Sequence, residues 1–134
     1  MEKKVLVLCT GNSCRSIIAE ALINSYIDGV QADSSGVKAS GKVNPNAKQI
    51  LEDNGIWDEK YHSKTIDKVI DNEYDLVVTV CDNAQETCPM FPKAVKVIHV
   101  SFVDPDKQEF AAFVKTYDDI KEILLPKVKE ALAL

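Results

Sequence analysis

The residues of this chain best able to do chemistry gather in one run, Cys9-Thr10-Gly11-Asn12-Ser13-Cys14-Arg15-Ser16. A thiol and a guanidinium separated by five residues, with Gly, Asn and Ser between them, make the pattern C-x5-R-S. Backbone N–H groups of a tight loop that feeds a helix N-terminus form a cradle for a tetrahedral anion. Arg15 adds a planar, permanently charged fork that lysine does not reproduce. The same positive field is expected to lower the pKa of Cys9 and keep it a thiolate nucleophile. The bland alternative is a buried strand-end cysteine beside a surface arginine. The charge split argues against it: of 16 basic residues, 15 are lysines and the single arginine stands at position 15.

Two other places offer reactive groups. Cys81 and Cys88 make a second thiol pair, separated by Asp82-Asn83-Ala84-Gln85-Glu86-Thr87, a polar stretch suited to a movable loop. They can also be two unrelated buried cysteines. Asp104-Pro105 supplies a carboxylate that, read alone, is no more than a turn. Cysteines 9, 14, 81 and 88 do not read as a disulfide scaffold. Thiols in a reduced compartment form only transient, catalytic disulfides, and a chain of this length needs no staples. The Cys81–Cys88 gap exceeds a zinc knuckle, and His62 and His99 lack ligand spacing, so both histidines are given structural places. Cys14 is read as packing or as a backbone donor within the loop.

The elements that must position these residues alternate in type. Val5–Leu8 reads as a buried strand, followed by a Gly11-Asn12-Ser13 turn. Ser16–Tyr26 carries Ile18, Ala21, Leu22 and Ser25 on one helical stripe and closes at Gly29. Val30–Ser34 is a weak alternating strand, and Asn46 is expected to cap a short helix, Ala47–Asn54, that stops at Gly55. Asp67–Asn72 reads as another short helix. Leu76–Val80 is apolar and β-branched, like a strand covered on both faces, and Val95–Val100 is a fourth strand. Phe110, Phe113, Val114, Tyr117, Ile120, Ile123 and Leu124 recur at helical spacing, and Pro126 should kink or restart that helix before Val128 and Leu132. This alternation predicts the α/β class, a single layer of parallel sheet flanked by helices in one domain over residues 1–134. Such sheets bind ligands at the carboxyl ends of their strands. The cradle loop, Cys81 and the Ser101–Asp106 loop follow strands one, three and four, so they can converge on one pocket.

Composition narrows the setting. With 134 residues, 46% hydrophobic and 28% charged, the chain is an ordinary globular protein. No apolar run approaches the roughly 20 residues of a membrane span, and the N-terminus lacks a signal-peptide cleavage site, so a cytoplasmic location is expected. A net charge of −5 gives no footprint for nucleic acid or an anionic membrane. An anionic substrate must therefore be held by a local device working against the global charge.

The segment Val7–Ser16, VLCTGNSCRS, resembles the phosphate loop of the low-molecular-weight protein tyrosine phosphatase superfamily. Over nearly its whole length the chain is similar to the thioredoxin-coupled arsenate reductase branch of that superfamily. The shared features are Ser34 before Gly36, Val43-Asn44-Pro45, His62, Asp75 to Pro89 (DLVVTVCDNAQETCP), Asp104-Pro105 and a long last helix. The resemblance implies a four-stranded parallel sheet of flavodoxin-like topology. It also implies an oxyanion site at Thr10, Gly11, Asn12, Ser13, Cys14, Arg15 and Ser16, with Cys9 attacking arsenate and Asp104 acting as general acid. Cys81 would then attack Cys9 and Cys88 would attack Cys81, leaving a Cys81–Cys88 disulfide for thioredoxin, glutaredoxin or another dithiol protein. Arsenic(V) to arsenic(III) takes two electrons, which a dithiol supplies without a redox cofactor.

By this resemblance the substrate is arsenate, with phosphate or sulfate as mimics, and the chain is expected to be a monomer. Glu20 and Asn12 are expected to order the loop, and reductases of this branch can hold a potassium ion with such residues and the serine at 34. Those relatives have an acidic residue a few positions after the His62 equivalent; Lys64-Thr65 stands there, which argues against a potassium site. Val103 replaces a further acid before the Asp-Pro. Two rivals follow: a tyrosine phosphatase, disfavoured by Asp106 where an aromatic would grip a phenol, and a non-catalytic oxyanion-binding redox sensor.

Overall fold

Apolar, β-branched runs settle where both faces of a sheet are covered. Val5–Cys9 and the whole of Leu76–Thr79 are buried for this reason. The computed structural model, which describes residues 3–81, 95–105 and 107–134, places these two runs at the centre of one four-stranded sheet. Its strands are β1 (Lys3–Cys9), β2 (Val30–Gly36), β3 (Leu76–Thr79) and β4 (Lys96–His99), in the order β2-β1-β3-β4. All neighbours are parallel, the flavodoxin-like arrangement, so the carboxyl ends share one edge: Cys9 lies opposite Gly36, Leu8 opposite Thr79, and Thr79 opposite His99. Strand-like pairing continues past that edge. Val80 N–H donates to Leu8 and Phe102 N–H to Val80, which carries Cys81 and Phe102 alongside Cys9.

Helix α1 (Arg15–Tyr26) is where the stripe reading falls short. Ser16 to Ile23 are all buried while Ser25 is exposed. The helix packs on β1 and β2 and is covered from outside by α2 (Pro45–Asp53) and by the C-terminal helical segments, so no side of its first two turns faces solvent. Helix α2 is capped by Asn44, not Asn46: the Asn44 Oδ1 accepts the Asn46 N–H at 2.8 Å, and Pro45 takes the first turn, where its missing N–H is harmless. At its other end Gly55, with φ +70°, lets Ile56 and Gly55 N–H groups reach the Leu51 and Glu52 carbonyls. The expected helix over Asp67–Asn72 is only a 3-10 turn, Ile66–Lys68. The strands are one or two residues off the expected bounds, β2 most usefully, since it runs on to Gly36.

The last helix behaves as Pro126 requires. Helix α3 (Phe110–Asp119) passes into a π turn (Ile120–Leu124), and α4 (Leu125–Ala131) restarts with the proline in its first turn. A continuous α-helix would ask Pro126 for a hydrogen bond to Glu122 that it cannot make; the wider turn removes that demand. Among the described residues no helix is long and apolar enough to cross a membrane.

Leu22 is fully buried between the sheet and the outer helices. Leu22→Ala is expected to lower the unfolding free energy by about 2–5 kcal/mol, read from urea denaturation. A loss below about 1 kcal/mol would show that α1 is not enclosed as described.

Candidate active site

The loop between β1 and α1 is shaped from outside. The carbonyls of Cys9, Thr10, Gly11 and Ser13 accept N–H groups of Val37, Lys38, Ser40 and Asn44, at 2.9–3.1 Å. Ser63 Oγ also donates to the Gly11 carbonyl. In a trans peptide the N–H points opposite to the carbonyl. Pulling these four carbonyls outward therefore turns the N–H groups of Thr10, Gly11, Asn12 and Cys14 to the enclosed side, as an anion cradle requires. Gly36 permits the close approach, because a Cβ there would lie 2.5 Å from the Thr10 carbonyl oxygen.

Asn12 is the pivot of the loop, with φ +50°, a conformation asparagine tolerates better than most residues. Its side chain is fully buried and saturated: Nδ2 donates to Ser16 Oγ (2.7 Å) and Ser34 Oγ (2.9 Å), and Oδ1 accepts the Lys64 N–H (2.8 Å). Ser34 in turn donates to Glu20 at 2.5 Å. Burial pushes the Glu20 carboxyl up to about 7, against the Ser34 hydrogen bond and the charge of Lys64. The expected ordering roles of Asn12 and Glu20 thus have a concrete form, a buried chain Glu20–Ser34–Asn12–Ser16.

The two thiols meet. Cys9, at the end of β1, and Cys81, two residues past β3, are buried and reduced, and each acts on the charge of the other. The Thr10 hydroxyl lies 3.3 Å from the Cys81 sulfur. The downward pull of Arg15 on the Cys9 thiol, expected from the sequence, is opposed here by its neighbours. Cys81 and burial push the Cys9 thiol up, and outweigh the charge of Arg15 and the Thr10 N–H, which act downward. Cys14 is buried at the N-terminus of α1, with its sulfur 3.6 Å from Ser13 Oγ, which suits a packing role.

Arg15 opens α1 and reaches across to the loop after β4. Nη1 donates to the Phe102 carbonyl (3.0 Å), Nη2 pairs with Asp104 Oδ2 (3.5 Å), and Nε is buried with no hydrogen-bond partner among the described residues. The structure thus brings Cys9, the 10–16 loop, Cys81 and Asp104 to one edge of the sheet. Cys88 and Asp106 lie outside the described residues. His62 and His99 hold structural bonds, to the Lys60 carbonyl and to Thr79 Oγ1. Ser63, the 37–44 segment and the Phe102 carbonyl were not legible as site components. All but Ser63 act through backbone atoms, which leave no mark in residue type.

Residues 4–130 match the family model described as low molecular weight phosphotyrosine protein phosphatase. The chain is 42% identical over 123 residues to arsenate reductase 2 of Staphylococcus haemolyticus, covering 90% of this chain and 93% of that protein. Its fold superposes on the crystal structure of an arsenate reductase from Archaeoglobus fulgidus with a TM-score of 0.79 and 28% identity, over 97% and 99% of the two chains. It also superposes on a low molecular weight protein tyrosine phosphatase from Bacillus subtilis, with a TM-score of 0.77 and 27% identity over 97% of each chain.

Glu20 makes the site sensitive to pH in a defined direction. Its carboxyl holds a proton more tightly folded than unfolded, so its contribution to stability is complete below about pH 4.5 and is lost as pH rises through about 7. Over that interval wild-type protein should lose on the order of 2–3 kcal/mol relative to Glu20→Gln. Denaturant titrations of both proteins across the interval measure this, and parallel pH profiles would refute it.

Proposed function

The chain belongs to the low molecular weight phosphotyrosine protein phosphatase family, and from that membership we propose that it reduces arsenate to arsenite through a relay of Cys9, Cys81 and Cys88. The observation that carries this reading is the second thiol: buried, reduced Cys81 stands at the cradle with its sulfur 3.3 Å from the Thr10 hydroxyl, a thiol that phosphate ester hydrolysis does not need. The relation at 42% identity to an arsenate reductase supports it.

Arsenate sits on the N–H groups of residues 10–14 with its charge matched by Arg15. The Cys9 sulfur displaces one oxygen from arsenic, and Asp104 protonates that oxygen so that it leaves as water. Cys81 then attacks the Cys9 sulfur. The S–As bond breaks with its electron pair remaining on arsenic, arsenite departs, and a Cys9–Cys81 disulfide forms. Cys88 attacks Cys81, freeing Cys9, and an external dithiol protein of the thioredoxin or glutaredoxin class reduces the Cys81–Cys88 disulfide. The balance is two electrons from two thiols to arsenic, so no redox cofactor is required. The placement of Cys9 and Cys81 at the carboxyl ends of the neighbouring strands β1 and β3 suits this order, because the two thiols that must bond come from one edge of the sheet. Dependence on such a reductant agrees with a cytoplasmic location.

Phosphotyrosine hydrolysis is the second reading, favoured by the 27% identity to a phosphatase of the same fold and by a cradle, arginine and acid that would serve it. Arsenite release, measured with purified protein, arsenate and each candidate reductant, separates the two. Cys9→Ser should abolish turnover, since a hydroxyl is a poor substitute for the thiolate. Cys81→Ser and Cys88→Ser should each abolish arsenite production under multiple turnover while sparing hydrolysis of an aryl phosphate. Continued cycling of arsenate by the double variant Cys81→Ser, Cys88→Ser would overturn the relay.

A further inference from the structure

The three nitrogens of the single arginine are engaged unequally. Nη1 is anchored to the Phe102 carbonyl, Nη2 faces the Asp104 carboxylate, and Nε is a buried donor with no partner among the described residues. A guanidinium grips a tetrahedral anion with two adjacent N–H groups. With Nη1 tied to backbone, the edge that remains for an anion is Nε–Nη2, and Asp104 holds half of it. A buried donor without a partner costs free energy, so this edge favours an incoming oxygen.

We propose that Asp104 and the substrate anion exchange on Nη2 of Arg15. An anion settling in the cradle takes the Nε–Nη2 edge and displaces the Asp104 carboxylate; having lost its guanidinium partner and facing an anion, Asp104 takes up a proton from solvent and stands where a general acid must stand. The Phe102 carbonyl keeps Nη1 in both arrangements, so the guanidinium is held still and the carboxylate is the part that moves. The displaced carboxylate has solvent to move into: the Asp104 side chain is 52% exposed and Val103 beside it is 81% exposed. Arg15 thereby couples the presence of substrate to the delivery of the acid. The inference rests on the role given to Asp104 above, but its test uses binding and not turnover.

A single arginine makes the test direct, because the Arg15 side-chain signals in a 15N spectrum need no assignment. Titrating wild-type protein with inorganic phosphate should shift the Arg15 Nε–H signal and the Asp104 13Cγ signal along one saturation curve. Asp104→Asn should bind phosphate up to about fivefold more tightly, the worth of a partly exposed ion pair. Before phosphate is added, its Arg15 Nη signals should already differ from those of wild type and should converge with them at saturation. Mere relief of charge repulsion would also tighten binding, yet would leave the Arg15 signals of the variant unchanged before phosphate. That result overturns the exchange, as does an Asp104 13Cγ signal indifferent to phosphate. A wild-type protein that binds no phosphate overturns the cradle and the exchange together. An intact exchange without arsenate reduction overturns the proposed reaction alone.

Discussion

Four backbone hydrogen bonds hold the rest of this site in place. The 37–44 segment draws the carbonyls of Cys9, Thr10, Gly11 and Ser13 outward, so the intervening N–H groups turn to the other side. Without that outward pull the loop would present a mixture of donors and acceptors, which no anion would favour. The pull depends on β2 reaching Gly36, because that glycine lies opposite Cys9 in register and tolerates the Thr10 carbonyl where a Cβ would collide. One strand-to-strand register therefore decides whether the loop binds anions.

The interior behind the loop is unusually polar for a core. Asn12, Ser16, Glu20 and Ser34 are all buried, and they satisfy one another across α1, β2 and the loop. A buried polar group is tolerable only when it is fully bonded, and a bonded network admits few alternatives. This is why Asn12 can be held with a positive φ. The carboxyl of Glu20 bears the burial as a preference for its proton. Rigidity behind the cradle contrasts with the exposed Asp104 loop in front of it. Binding needs a fixed shape, while proton delivery needs a group that can move.

Much of this was legible in advance. The alternation of apolar strands and helices led to the parallel sheet, because period and β-branching report directly on burial. The C-x5-R-S run located the cradle, since the residue types that bind anions are few and their spacing is set by one turn of loop. Gly55 stopped α2 and Pro126 restarted the last helix, because both residues act on local backbone geometry. The misreadings also share a cause, the weight given to residue type over position. Asn46 has the side chain of a cap but stands inside the helix, and Pro45 is the marker of the first turn that puts the cap at Asn44. The stripe on α1 fails because the first two turns of the helix are enclosed on every side by elements distant in sequence.

What the sequence determined by itself were the local matters: which segments are extended or helical, where the loop turns, and which thiol and guanidinium share it. Only the tertiary structure decided which groups meet and which neighbours act on their charge. Residue types alone favour a Cys9 thiolate, on the strength of Arg15 in the same loop. Across the sheet, Cys81 and burial act against that charge, and Arg15 directs its donors to Phe102 and Asp104. Residue type sets what a side chain can do. Its protonation and its partners are set by neighbours within a few ångströms, and in a parallel sheet those neighbours come from strands far apart in the chain.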